Sequence, residues 1–231
     1  MKIGIIVLCR YDSNRLPGKI LKNIKGKPIL SHIIDRLNKV NGNHPICVAT
    51  STSQNDRPLI NYCKKQRINY FRGNKNNVAS RFLNCALKMD LDYAIRINGD
   101  NLFTDPSIIN EMIKLTMQNK WLFLTNVLNR TFPEGISVEI IKISFMKIKI
   151  NLFNQYEKEH VMPYFYKNLK KDEIYEYKNN KYKINPQIKL AVDTQKDFEF
   201  LSNIINSMDK PPHLYLTSEI LKIIKTLKVI S

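Results

Sequence analysis

Cysteine is scarce in this chain, and no two cysteines have the spacing of a metal or redox motif. The 231 residues include four cysteines, all of them before residue 90, and no C-x-x-C sequence. Zinc-stapled and disulfide-rich small folds are therefore excluded. A chain of this length buries about 70% of its extended-chain surface and needs neither device for stability. We interpret the cysteines as reduced thiols, which are typical of a cytoplasmic protein.

Long apolar runs are also missing. The chain begins MKIGIIVLCRYDSNR, and its first apolar run is much shorter than the roughly 20 residues of a membrane span. No small-residue cleavage site follows this run. No later segment is long and apolar enough to span a membrane. These features predict a protein that is neither secreted nor embedded in a membrane.

Acidic residues are few relative to basic ones. The chain has 37 Lys and Arg against 20 Asp and Glu, a formal net charge of +17. Such a charge is compatible with a polyanion-binding protein, because phosphate backbones attract a basic surface. The lysines are, however, spread along the whole chain among many Asn and Ile residues, whereas a nucleic-acid footprint is a clustered stripe or a known module. We therefore expect no nucleic-acid partner and keep polyanion binding as the third hypothesis.

Apolar residues follow two alternating patterns along the first 125 residues. Short apolar runs predict strands, and apolar residues that recur every three or four positions predict helices. The predicted strands cover residues 3–8, 45–49, 70–71, 93–97 and 121–125. The predicted helices cover residues 28–40, 58–66, 78–89 and 105–118. This alternation predicts an α/β fold with right-handed crossovers and a doubly wound, mainly parallel sheet.

The pattern changes after about residue 130. The predicted strands there cover residues 136–141, 174–177, 182–184 and 188–192, and the predicted helices cover residues 157–168, 194–208 and a segment from 217 onward. Asn179-Asn180 predicts a hairpin turn between two of these strands, and Thr194 with Asp197 predicts a capping box. We predict one domain over residues 1–231, in which roughly 150–185 form a small α+β insertion or dimerisation arm.

Cations cluster in the loop after the first predicted strand. Arg10, Arg15 and Lys19 lie there together with Ser13 and Gly18. Guanidinium and ammonium groups match phosphate oxygens, and a glycine lets backbone amides approach a ligand closely. The loop has neither a Walker sequence nor a dinucleotide fingerprint. In a doubly wound sheet, ligands bind at the carboxyl ends of the strands, which makes this loop a candidate phosphate site.

Two aspartates follow two other predicted strands. Asp100 belongs to the sequence Asn-Gly-Asp-Asn at 98–101, and Asp193 follows residues 188–192. Carboxylates in this position can hold magnesium against substrate phosphates. The alternatives are an ordinary turn around Asp100 and a helix-terminal charge at Asp193.

Six segments give the chain a family resemblance. They are RYDSNRLPGK at 10–19, FRGNKNNVASRF at 71–82, RINGDNLFTDP at 96–106, FPEGISVEI at 132–140, EHVMPYFY at 159–166 and AVDTQKDFEFL at 191–201. In this order they resemble the cytidylyltransferases, the enzymes of the CMP-sugar-acid synthetase group. The branch typified by the spore-coat polysaccharide biosynthesis protein is the most similar. The resemblance implies a nucleotide-diphospho-sugar transferase fold, CTP and a small-molecule acceptor as substrates, Mg²⁺, pyrophosphate release and a homodimer.

The resemblance also implies roles for particular residues. Those implied to bind the nucleotide are Cys9, Arg10, Ser13, Arg15, Lys19, Thr50, Ser51, Arg72, Gly73 and Asp100. Those implied to be catalytic are Arg15, Lys19 and Asp100. Those implied to hold the metal are Asp100 and Asp193. Those implied to bind the acceptor are Arg130, Glu139 and His160, although His160 could also be a structural helix residue and Glu139 an exposed strand charge.

Several questions stay open at the level of sequence. Asn76-Asn77 replaces a stretch that is usually acidic in the family, and an extra cation such as Arg81 would suit a carboxylate or a phosphate on the acceptor equally. A glycosyltransferase of the same fold is the second hypothesis, although its usual D-x-D metal pair is represented only by Asn98-Gly99-Asp100. A nucleophilic Cys9 is a further alternative, but packing is the commoner role of a free cysteine at a strand end.

Overall fold

The structure is a computed structural model, and it describes residues 1–119, 121–181 and 188–230. The strands in these ranges are β1 (Ile3–Leu8), β2 (Asn23–Ile24), β3 (Lys27–Pro28), β4 (Ile46–Ser51), β5 (Tyr70–Gly73), β6 (Tyr93–Asn98), β7 (Phe123–Thr125), β8 (Glu139–Lys142) and β9 (Ile174–Glu176). The α-helices are α1 (Ile29–Leu37), α2 (Arg57–Lys65), α3 (Val78–Lys88), α4 (Pro106–Asn119), α5 (Ile143–Lys149), α6 (Gln155–His160), α7 (Pro163–Asn168), α8 (Gln195–Asn206) and α9 (Thr217–Ile230). None of the described helices is long and apolar enough to cross a membrane.

Seven of the strands form one sheet in the order β5-β4-β1-β6-β8-β7-β9, and β2 pairs with β3 in a separate ribbon. β5, β4, β1 and β6 run parallel to one another, β8 is antiparallel to both β6 and β7, and β9 is parallel to β7. The sheet is therefore mainly parallel, with helices on both faces, which confirms the predicted fold class. The carboxyl ends of the four neighbouring parallel strands lie at one edge, where ligands of such sheets bind.

The central position of β1 explains its uninterrupted apolar sequence. All six of its residues are buried. Ile3, Ile5 and Val7 pack into the core layer that includes α1, α4, α8 and α9. Ile6 and Leu8 pack into the opposite layer, which includes α3, α5 and α7. A strand that is covered on both faces shows no polar alternation, because every second position also enters a core.

In the second half of the chain, the structure corrects one predicted helix and adds another helix that was not predicted. The helix predicted over 157–168 is two helices, α6 and α7, separated at Val161 and Met162. Val161 has a φ of 73°, an unusual angle for a β-branched residue, and its side chain is fully buried. Pro163 cannot donate a helical hydrogen bond and restricts the residue before it, so the chain restarts as a new helix there. The sequence patterns also missed α5, which directly follows β8.

The predicted arm is only partly separate from the sheet. β9, the first half of the predicted hairpin, pairs with β7 at the edge of the main sheet. The second half, residues 182–184, lies outside the described residues. The strand predicted over 188–192 is wrong, because within the described residues only Lys189 forms a bridge, with Glu134. Leu190 to Val192 are nevertheless buried, which accounts for the apolar run there. A dimerisation role for 150–185 stays a prediction.

Candidate active site

A cleft of about 430 Å³ opens at the carboxyl ends of β1 and β6. It is lined by Leu8, Cys9, Arg10, Ser13, Asn14, Arg15, Lys19, Ile20, Val78, Arg81, Arg96, Asn98, Gly99, Asp100 and Glu159. The structure thus brings the predicted phosphate loop and the predicted metal ligand Asp100 into one cleft. Four of its side chains are arginines, and the sequence patterns had associated only two of them with the nucleotide.

The loop after β1 is held in a compact turn. The amide of Gly18 donates to the carbonyl of Tyr11 at 2.8 Å, and Gly18 has a φ of 69°, which glycine adopts at little cost. Leu16 and Ile20 are buried in the core on either side of this turn. Leu16 and Ile20 pack into the core, whereas Lys19, which lies between them in the sequence, lines the cleft.

Asp193 is the anion to which the loop cations bind. Its carboxylate accepts from Arg15 Nη2 at 2.7 Å and pairs with Lys19 Nζ at 3.3 Å and Lys189 Nζ at 3.1 Å. Lys19 Nζ also donates to the carbonyl of Val192 at 2.6 Å. Burial alone would raise the pKa of Asp193, but the bond from Lys189 and the three positive charges outweigh it and hold the pKa below its ordinary value.

Asp100 lies beside this cluster because two other segments approach its backbone closely, namely the end of β1 and the segment that contains Asp193. A Cβ atom on Gly99 would be 2.3 Å from Cys9 Cβ, so only glycine fits between the ends of β6 and β1. The Val192 amide donates to the Asp100 carbonyl at 3.0 Å, which brings the segment containing Asp193 to the same place. Asp100 Oδ1 is buried and has no hydrogen-bond partner among the described residues.

The electrostatics of Asp100 are those of an incompletely satisfied carboxylate. Burial raises its pKa, the charge of Lys19 lowers it and the charge of Asp193 raises it, and the net shift is upward. The neighbourhood of Asp193 and the free Oδ1 fit a hard divalent cation, which prefers carboxylate oxygens. The described residues contain no group of three or more His, Cys, Asp or Glu with metal-site geometry. The remaining ligands of such a cation would therefore come from a substrate and water.

The segments predicted to contact the base are organised by a buried aspartate. Asp56 accepts from the Thr50 hydroxyl at 2.8 Å, from the amide and hydroxyl of Ser51, and from the Tyr11 amide at 2.7 Å. Thr50 and Ser51 are fully buried, and neither lines the cleft. Through Asp56, their side chains link the end of β4 to the loop after β1. Their contact with the nucleotide stays a prediction.

Arg72 and Gly73 also lie outside the cleft. The Arg72 guanidinium donates to the Thr52 carbonyl at 2.8 Å. A Cβ atom on Gly73 would be 2.8 Å from Arg81 Cγ, so this glycine makes room for a buried arginine. Arg81 Nη1 donates to the Asn74 carbonyl at 2.8 Å and thereby holds the loop that follows β5. Burial, followed by the charge of Arg10, lowers the pKa of Arg81 to about 10.

A second cavity of about 300 Å³ adjoins the cleft. It shares Arg10, Val78 and Glu159 with the cleft and is further lined by Lys75, Asn76, Gln155 and His160. Asp12 pairs with Lys75 at 2.9 Å and with Arg10 at 3.7 Å on this side. His160 is exposed at the end of α6 and contacts the Tyr156 ring at a centroid distance of 4.3 Å. The predicted acceptor residue thus faces a cavity beside the phosphate loop.

The other two predicted acceptor residues do not line the cleft. Arg130 is exposed in the turn after β7. Glu139 is buried, so it is not an exposed strand charge, and it accepts from the Arg96 guanidinium and from the Tyr166 hydroxyl. Arg96 is the residue of this group that lines the cleft. Arg96 could have been found from the sequence, because it is a charged residue within the apolar sequence of β6, and a buried charge requires a nearby partner.

Cys9 is a packing residue at the end of β1. Its thiol is buried, and burial, followed by the negative charge that Cys63 would carry as a thiolate, raises its pKa far above the ordinary value. The described residues that line the cleft include no histidine that could act as its base. These features disfavour the nucleophile alternative, because a reactive cysteine needs a lowered pKa.

Comparison with known proteins identifies the family of this chain. The cytidylyltransferase family model matches residues 4–223. The chain belongs to the cytidylyltransferase family. The cytidylyltransferase structure from Leptospira borgpetersenii is 30% identical, with a TM-score of 0.92, and covers 100% of this chain and 96% of that one. The spore coat polysaccharide biosynthesis protein SpsF of Bacillus subtilis is 28% identical over 218 residues, 91% of this cytidylyltransferase and 89% of SpsF.

A more distant structure shares the fold of this cytidylyltransferase. CMP:2-keto-3-deoxy-manno-octonic acid synthetase, solved in complex with CTP, is 16% identical, with a TM-score of 0.67. The likeness covers 89% of this chain and 99% of that one. At this identity the likeness concerns the fold alone. It agrees with the predicted nucleotide-diphospho-sugar transferase type of fold.

Proposed function

We propose that this cytidylyltransferase transfers CMP from CTP to a small acidic or phosphorylated acceptor and releases pyrophosphate. The observation that carries the proposal is the meeting of Asp100, which has a free carboxylate oxygen, with Arg15 and Lys19 on Asp193 in one cleft. A carboxylate pair and mobile cations are the groups that a nucleoside triphosphate with a divalent ion requires.

The triphosphate binds to the loop after β1 in this proposal. Arg15 is 66% exposed even while paired with Asp193, so its guanidinium can turn from the carboxylate to a phosphate. Lys19 is held more tightly, since its side chain is 14% exposed and its ammonium contacts two oxygens. Arg15 therefore captures the leaving pyrophosphate, whereas Lys19 keeps a fixed positive charge beside it.

Asp100 and Asp193 would hold Mg²⁺. When bound, the ion would neutralise phosphate charge and orient the triphosphate. Asp100 would offer its unpartnered Oδ1, and Asp193 would offer a carboxylate oxygen that Arg15 releases when it binds the phosphates. Burial raises the pKa of Asp100, and a bound cation would favour the carboxylate, which is the form that acts as a ligand.

The chemical step is an in-line attack of an acceptor oxygen on the α-phosphorus of CTP. The oxygen–phosphorus bond to the acceptor forms as the bond to pyrophosphate breaks, and the acceptor proton passes to solvent. The protein contributes position and charge rather than a covalent intermediate. A sugar-acid hydroxyl as acceptor gives a CMP-sugar, and a phosphate monoester gives a CDP-linked product. The name of the SpsF relative, a spore coat polysaccharide biosynthesis protein, supports polysaccharide synthesis as the pathway. A cytoplasmic homodimer is the working form in this proposal.

The test is pyrophosphate release from each of the four nucleoside triphosphates with Mg²⁺. The acceptor panel contains sugar carboxylates, including 3-deoxy-manno-octulosonate, sugar phosphates, polyol phosphates and neutral sugars. We expect acceptor-dependent release from CTP and from no other triphosphate. Turnover of a CMP- or UDP-sugar without release from any triphosphate would instead identify a glycosyltransferase. The Asp100→Asn variant is the control, since it leaves Arg15 and Lys19 paired with Asp193 yet should lose release.

A further inference from the structure

A buried polar cluster lies under the cleft on the side of β8. Arg96 on β6 and Glu139 on β8 are directly opposite partners in the antiparallel strand pair, and their side chains form an ion pair. Tyr166 on α7 donates its hydroxyl to the second oxygen of Glu139. Both oxygens of the carboxylate are therefore occupied, one by each neighbour. Of the three residues, only Arg96 lines the cleft.

The cluster leaves the arginine with unused donors. An arginine next to a carboxylate commonly forms two parallel bonds, one to each oxygen. Here Tyr166 occupies Glu139 Oε1, so Arg96 contacts Glu139 through Nη1 and Oε2. Arg96 Nε is buried and has no hydrogen-bond partner among the described residues. A buried donor without a partner is unfavourable unless a ligand satisfies it.

The tyrosine keeps its proton at ordinary pH and so donates it to Glu139. Burial, followed by the negative charge of Glu139, raises the pKa of Tyr166 far above its usual value. Its proton therefore stays on the hydroxyl and keeps Glu139 Oε1 engaged. Tyr166 and Glu139 are in this sense positioning residues, which hold the guanidinium at the cleft without touching a ligand.

We propose that Arg96 is the specificity residue for the acceptor and binds its anionic group. This inference rests on the proposed function. Arg10, Arg15 and Lys19 belong to the loop after β1, and the residues implied to face the base lie at the ends of β4 and β5. Arg96 lies on β6, next to β8 and on the other side of β1. The guanidinium thus offers a carboxylate or phosphate site beside Asp100 that is distinct from the triphosphate cations.

The test compares apparent KM values for the two substrates. Pyrophosphate release is measured with CTP, Mg²⁺ and the best acceptor of the panel, for the wild type, Arg96→Gln and the double variant Arg96→Gln with Glu139→Gln. Loss of a charged hydrogen bond predicts an acceptor KM that rises about 10- to 100-fold in both variants. The KM for CTP should stay within about twofold, whereas Lys19→Gln should raise it by at least the factor seen for the acceptor.

The double variant separates binding from folding. Arg96→Gln alone leaves a buried, unpaired carboxylate at Glu139 and is expected to lower the unfolding temperature. The second change removes that charge, so the double variant should regain stability but not acceptor affinity. Recovery of the wild-type acceptor KM in the double variant, or a rise in the CTP KM instead, would overturn the inference.

Tyr166→Phe tests the positioning step. Without the hydroxyl, Glu139 Oε1 becomes available, and Arg96 is expected to turn to bind both carboxylate oxygens. The acceptor KM should then rise about three- to tenfold, with kcat almost unchanged, because one weaker hydrogen bond is at stake. An unchanged acceptor KM in this variant would remove Tyr166 from the proposal.

A direct titration keeps this inference distinct from the proposed function. Calorimetry measures 3-deoxy-manno-octulosonate and glycerol 3-phosphate binding to the wild type and to the double variant. If the wild type releases no pyrophosphate with any acceptor, the proposed function fails, while binding of either anion to the wild type alone would still support the Arg96 site. Equal binding by both proteins, or binding by neither, would contradict it.

Discussion

The amide of Val192 donates a hydrogen bond to the carbonyl of Asp100 at 3.0 Å. This single backbone contact joins two segments that are far apart in the sequence, and it places Asp193 in the neighbourhood of Asp100. The two carboxylates then act on each other, since the charge of Asp193 contributes to the raised pKa of Asp100. The candidate metal site is therefore a product of a loop contact rather than of a motif within one segment.

Asp100→Asn should remove activity without loss of stability. We expect kcat to fall about 100- to 1,000-fold, the scale seen when one group that stabilises transition-state charge is removed. Folding raises the pKa of Asp100, so the charged form opposes folding at neutral pH, and a neutral amide should leave the unfolding temperature equal or higher. Pyrophosphate release and circular dichroism measure the two effects. Asp172→Asn, an exposed aspartate, is the matched control, and a comparable loss of activity there would contradict the assignment.

Asp193→Asn should destabilise the protein in a pH-dependent way. The folded pKa of Asp193 is lowered, so its contribution is fully present above the ordinary value of 3.8 and is lost as the pH falls below it. We expect a loss of about 2 kcal/mol in the free energy of unfolding at pH 7, because three cations lose their shared anion. Urea unfolding at pH 7 and pH 3 measures this, and the difference from the wild type should shrink at pH 3. A constant difference would show that packing, not charge, is responsible.

Lys19→Gln and Arg15→Gln should differ in their effect on stability. Lys19 is nearly buried on Val192 and Asp193, whereas Arg15 is mostly exposed. We expect both variants to raise the KM for CTP about 10- to 100-fold, but only Lys19→Gln to lower the free energy of unfolding by more than about 0.5 kcal/mol. Lys22→Gln is the control, since it makes the same charge change just beyond the loop. Equal stability losses in the two variants would contradict the claim that the ion pair of Lys19 with Asp193 is more buried than that of Arg15.

Gly99→Ala should push apart the ends of β1 and β6. The new Cβ would lie 2.3 Å from Cys9 Cβ, a contact that requires a backbone shift. We expect a loss of about 1–3 kcal/mol in stability together with lower turnover, because Asp100 is the next residue. The double variant with Cys9→Gly removes the opposing Cβ and should recover most of the loss. If the two changes are additive in chemical unfolding, the proposed contact is not the cause.

The sequence patterns predicted elements well where the signal was local. The capping box of Thr194 and Asp197 is present at the start of α8, and the strand predicted over 3–8 matches β1 in full. The patterns failed where apolar residues are buried without belonging to a strand of the sheet. Leu190, Ala191 and Val192 are apolar because they are buried, and the described part of this segment forms only one bridge, at Lys189. The break between α6 and α7 lies at Val161, whose positive φ has no sequence signature, although Pro163 marks the start of the second helix.

The site shows the same division between local and long-range information. The chemical character of the loops was predictable, since Arg10, Arg15, Lys19 and Asp100 all line the cleft. The partners of buried groups were not. Thr50 and Ser51 bind Asp56, and this arrangement could not be inferred from residue type. Glu139 is likewise oriented by Arg96 on the neighbouring strand, which only the strand register decides.

The sequence by itself determined the alternation of strands and helices, the mainly parallel sheet and the cationic loop at its carboxyl edge. These follow from apolar periodicity and from turn chemistry, which act over a few residues. Only the tertiary structure decided which charges meet, namely Asp193 with Arg15 and Lys19, and Arg96 with Glu139. The energy of a charge pair depends on distance and burial, and both are set by contacts between segments that the local pattern does not connect.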